Sequence, residues 1–88
     1  MDDIEDWRTR INAIDSTIVE LLNDRARCAI EIGKIKMERG LRVHNPEREK
    51  IIMERVKDHN RGPLDHGAVQ RIFVQIIEEC RRTEITAL

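Results

Sequence analysis

One apolar stripe constrains this chain more than any other feature. From the N-terminus, Ile4, Trp7, Ile11, Ile14, Ile18, Leu21, Cys28, Ile32 and Ile35 follow steps of three and four, with residue 25 filling the interval after Leu21. That spacing places them on one face of one helix, running from about Asp3 to Arg39. Such a helix is roughly 55 Å long. A compact chain of this length has a radius of gyration of about 12 Å, and so a diameter near 30 Å. One end of the helix must project beyond that body. The stripe continues along the projecting part, and contiguous apolar surface is not left in water. The simplest resolution is a homodimer, with long helices paired and shorter helices wrapped around them.

The rest of the chain reads as two shorter helices. Gly40 stops the first helix, and Leu41 to His44 form a short loop. Asn45 caps a second helix over about 46–59, with Pro46 at its first position. Asp65 caps a third over about 65–86, whose apolar face carries Val69, Ile72, Phe73, Ile76, Ile77 and Cys80. Charged residues make up 38% of the chain and aromatics 2%, a balance that suits amphipathic helices rather than a sandwich or barrel. The expected fold is all-α, a single domain over residues 1–88.

Several function classes are disfavoured. A net charge of −1 argues against a broad nucleic-acid surface. No apolar run approaches the roughly 18 residues of a membrane span. The acidic start, Met1 to Asp6, lacks the pattern of a signal peptide. Cys28 and Cys80 form neither a metal-ligand spacing nor a disulfide framework. These features predict a cytoplasmic protein with reduced thiols. His44, His59 and His66 show no ligand pattern and read as surface residues near loops.

Polar residues on the apolar faces carry the functional signal. Arg25 occupies a seam position of helix 1, and a guanidinium stays charged in a protein. Its burial is costly unless an anion meets it. That anion is either an internal partner, Glu84 or Glu49, or a ligand. Lys36 follows eleven residues later, close to three full turns, so it points the same way about 16 Å along the axis. Two long cations so placed can bracket a small dianion. Glu84 lies on the apolar side of helix 3, and Arg48 and Glu49 open helix 2. Cations and carboxyls on the inner faces of three helices suggest one polar pocket inside a bundle. A dimeric bundle without a pocket is the plain alternative.

The ordered set of segments resembles the all-helical chorismate mutases of bacteria, over about residues 5–86. The segments are Trp7 to Asp15, Leu21 to Arg25, Ile32 to Lys36, Asn45 to Glu49, and Ile72 to Cys80. The resemblance implies an intertwined homodimer with two identical active sites and no cofactor or metal. It implies that Arg8 enters the site from the partner chain. Arg25, Lys36, Asn45, Arg48, Glu49, Cys80 and Glu84 come from one subunit. The implied reaction converts chorismate to prephenate. Arg8 and Arg25 would hold carboxylates, Glu49 would accept from the ring hydroxyl, and Arg48 would anchor Glu49. Lys36 and Glu84 would flank the ether oxygen.

Three positions depart from the family pattern. Glu84 stands where many relatives carry glutamine, and a glutamate donates only when protonated. Activity is therefore expected to fall as pH rises. Cys80 replaces a common serine and donates more weakly. Asn45 replaces a frequent aspartate. Two rivals share these features. An isochorismate-pyruvate lyase uses the same helical dimer, and Glu49 leans against it. A non-catalytic helical scaffold would tolerate Arg25→Leu, whereas an enzyme would lose activity even in Arg25→Lys.

Overall fold

The computed structural model describes residues 3–88. Met1 and Asp2 of the acidic start lie outside the described residues. The elements are α1 (Asp3–Glu38), α2 (Pro46–His59) and α3 (His66–Ala87), and the described residues contain no strand. α3 packs against both α1 and α2.

Each helix end has a local cause. Asp3, Glu5 and Asp6 in the first turn of α1 and Lys36 in its last turn complement the helix dipole. Gly40 adopts φ 67 and closes α1 with two reverse bonds. The Gly40 amide donates to the Met37 carbonyl at 3.2 Å, and the Leu41 amide to the Lys36 carbonyl at 2.8 Å. This is a Schellman motif, which takes up carbonyls that a helix end otherwise leaves without partners. Asn45 caps α2 through Oδ1, which accepts from the Arg48 amide at 3.1 Å. Asp65 does the same for α3, accepting from the Ala68 amide at 2.7 Å.

The chain is elongated, with extents of 59 × 25 × 15 Å and a radius of gyration of 16.2 Å. A compact chain of this length would show about 12 Å. Burial is correspondingly thin. Gly33 is the buried residue of α1, and Ile77, Cys80 and Glu84 are those of α3. The stripe residues Ile4, Trp7, Ile11, Ile14 and Ile18 stay 46–60% exposed in the single chain. Trp7 is therefore not a core residue of the protomer; the Arg10 guanidinium lies over its ring at 5.5 Å.

Candidate active site

α1, α2 and α3 enclose a cavity of about 430 Å³, within the roughly 300–1,000 Å³ of small-molecule pockets. α1 contributes Arg25, Cys28 and Lys36. The loop before α2 and its first turn contribute Asn45, Arg48 and Glu49, and α3 contributes Cys80, Arg81 and Glu84. A larger groove of about 810 Å³ lies between α2 and α3 near Arg55, His59 and Phe73. It draws nothing from α1 and holds none of the expected site residues, so the smaller cavity is the candidate site.

Arg25 is half-buried and makes no hydrogen bond or ion pair among the described residues. The internal pairing with Glu84 or Glu49 that its position allowed is not formed. Lys36 is held from behind: its Nζ donates to the Val43 carbonyl at 2.7 Å. The loop that ends α1 thus also fixes the lysine.

Glu84 sits 3.7 Å from Lys36 Nζ through Oε2. It is 6% exposed, and Oε2 has no hydrogen-bond partner. Leaving a buried polar atom unpaired costs about 1–3 kcal/mol, and more for a charged group. A fold keeps such an atom where something else is to meet it. The carboxyl rests on Gly33, where an added Cβ would lie 2.6 Å from Glu84 Cγ.

Glu49 is gripped on both oxygens. His44 Nε2 lies 2.7 Å from Oε2, and Arg81 Nη1 donates to Oε1 at 3.0 Å. This corrects one sequence reading. The anchor of Glu49 is Arg81 with His44, whereas the Arg48 side chain makes no ion pair. His44 is exposed in the loop before α2, as read from the sequence, and its ring faces Glu49.

Seven of the eight expected site residues share the cavity, and Arg8 does not. Its guanidinium pairs with Glu5 at 2.7 Å on the exposed surface of α1. Seventeen residues separate it from Arg25, about 25 Å along the axis. Within the cavity Arg25, Lys36, Arg48 and Arg81 face only two carboxylates, Glu49 and Glu84. The lining carries surplus positive charge and favours an anion.

Compared with known proteins, residues 7–85 match the family model for chorismate mutase type II. This chain belongs to the type II chorismate mutase family. Its relatives include a bifunctional chorismate mutase/prephenate dehydratase of Neisseria gonorrhoeae, 40% identical over 88% of this chain and 21% of that protein. A chorismate mutase of Methanocaldococcus jannaschii is 35% identical over 81% of this chain and 73% of that protein. The chain spans 21–24% of the length of the bifunctional relatives that head the matches. A solved chorismate mutase of Thermus thermophilus superposes with a TM-score of 0.92 at 26% identity, covering 94% of each chain. That of Helicobacter pylori, in complex with prephenate, gives 0.87 at 25% identity over 96% of this chain and 91% of that one.

Three residues at or beside the candidate site had no site role in the sequence reading. Ile77, Arg81 and Glu84 step by four and three, so Arg81 shares a face of α3 with Glu84. Gly33 precedes Lys36 by three. The signal for Arg81 was present in the spacing; Gly33 offered none, because its role lies in contact with another helix. His44 had none, because it acts from a loop.

No helix of the described residues is long and apolar enough to cross a membrane.

Proposed function

We propose that this chain rearranges chorismate to prephenate in aromatic amino acid biosynthesis. It acts in the cytoplasm as a homodimer with two shared sites, residues 1–88 forming one domain. One observation carries the reading: an unpaired guanidinium, a lysine and a buried carboxyl oxygen that accepts no hydrogen bond converge on one cavity from α1 and α3.

The reaction is a single intramolecular step. The ether C–O bond breaks as a C–C bond forms, and no atom is gained or lost. Its demands are a folded, chair-like substrate and stabilisation of the charge growing on the ether oxygen. Arg25 holds one substrate carboxylate. Arg8 of the partner subunit holds the other, which makes the dimer part of the chemistry. Glu49 accepts from the ring hydroxyl, and its double grip by Arg81 and His44 keeps it aimed there. Asn45, Arg48 and Cys80 complete the substrate contacts.

Lys36 meets the ether oxygen on one side. Glu84 flanks it on the other. Both are preorganised, so little rearrangement is needed as charge develops. Removing one such donor costs about 10²–10³ in kcat.

The test is to incubate the purified protein with chorismate and follow loss of its ultraviolet absorbance, then convert the product with acid to phenylpyruvate. Prephenate formation that disappears in Arg25→Ala and Lys36→Ala supports the assignment. A folded protein that leaves chorismate unchanged but cleaves isochorismate would replace it with the lyase. Inertness toward both would favour a scaffold.

A further inference from the structure

A glycine inside a long helix needs a reason. Glycine costs about 1 kcal/mol relative to alanine in a helix interior. Gly33 lies five residues before the end of the 36-residue α1 and is the buried residue of that helix. The three atoms nearest to a Cβ built there all belong to one side chain: Glu84 Cγ at 2.6 Å, Oε2 at 3.1 Å and Cδ at 3.3 Å. The first distance is too short for any pair of carbons. Cγ is also no freely swinging tip. It sits near the backbone of α3, in a residue only 6% exposed.

The neighbouring geometry gives the glycine a function. Gly33 and Lys36 are three residues apart on α1 and share a face. The space left by the missing side chain is filled by the Glu84 carboxyl, one turn from Lys36 and 3.7 Å from its Nζ. A methyl group there would force the carboxyl away from α1 or spread α1 from α3. Either movement breaks the pairing of two groups that line the cavity.

We infer that Gly33 is a positioning residue for catalysis: its bare backbone forms the seat that sets the Glu84 carboxyl opposite Lys36. This rests on the proposed mutase reading, in which Lys36 and Glu84 act on developing charge. Gly33 touches no substrate and acts only through Glu84.

The test is a double-mutant cycle between Gly33→Ala and Glu84→Ala, read by chorismate kinetics and by thermal melting. With Glu84 intact, Gly33→Ala lowers kcat at least about 30-fold and shifts KM less than about threefold. In the Glu84→Ala background, adding Gly33→Ala lowers kcat no further. Melting follows the same logic. Gly33→Ala lowers Tm when Glu84 is present and raises it when the glutamate side chain is gone, since only alanine's helix preference then remains. Equal losses in both backgrounds, in kcat or in Tm, would overturn the inference, as would a Gly33→Ala enzyme of wild-type kcat. If Gly33→Ala alone fails to fold, a folded double variant still supports the seat and an unfolded one refutes it. An enzyme inert toward chorismate would sink the mutase reading, while the melting cycle would still decide what Gly33 accommodates.

Discussion

At the residue scale, the pocket depends on which charges are paired and which are left open. Glu49 has both oxygens occupied, by His44 and Arg81, while the Arg25 side chain has no partner and Glu84 Oε2, 3.7 Å from Lys36 Nζ, accepts no hydrogen bond. The paired group is fixed in direction; the open groups await a ligand. Replacing Arg81 with methionine keeps the bulk and frees one oxygen of Glu49. Arg81→Met is expected to lower kcat/KM about tenfold through misplacement of that carboxylate. In a Glu49→Ala background it should add almost nothing, which separates aiming from mere loss of positive charge. Glu84 yields a second prediction. Glu84→Ala removes one of the two groups that flank the ether oxygen in the proposed reaction and is expected to lower kcat about 10²–10³-fold, read from chorismate kinetics. A wild-type kcat in Glu84→Ala would mean that the carboxyl takes no part. The sequence made Arg25, Lys36 and Glu84 legible because each interrupts an apolar pattern. It hid Gly33, since glycine interrupts no such pattern; its role exists only through contact with another helix.

At the element scale, helix ends do functional as well as structural work. The turn at Gly40 puts the Leu41 amide on the Lys36 carbonyl and brings the Val43 carbonyl to Lys36 Nζ. One loop thereby ends α1 and holds the lysine of the cavity. A Cβ at Gly40 would meet nothing within 4 Å, so only backbone strain at φ 67 opposes a side chain there. Gly40→Ala is expected to destabilise the protein by about 1–2 kcal/mol, measured by chemical denaturation, and Gly40→Asn by less. An unchanged midpoint for Gly40→Ala would mean that the turn is not held in the left-handed region in solution. The helices were readable from sequence because caps, dipole charges and the three-and-four spacing agree at each end. The partner of Glu49 was misread because the choice between Arg48 and Arg81 depends on how α3 lies against α2. Neither helix records that packing in its own pattern.

At the scale of the whole molecule, the single protomer is incomplete in two ways that share one remedy. Its stripe residues remain about half exposed along a 59 Å body, and Arg8 points away from the cavity that its family role requires. Pairing two α1 helices would cover the first and supply the second. A shared site makes a prediction that a self-contained one does not. Arg8→Ala and Arg25→Ala should each be inactive alone, because every site in either homodimer lacks one arginine. When the two are unfolded together and refolded at equal concentration, half the dimers are mixed. In each mixed dimer, one site joins the intact Arg25 of the Arg8→Ala chain to the intact Arg8 of the Arg25→Ala chain; the other site lacks both. Activity should return to about a quarter of the wild-type level. Refolding that restores nothing, although size-exclusion chromatography shows dimers, would mean that Arg8 serves its own chain or no site at all. Recovery well above a quarter would mean that one of the arginines is dispensable.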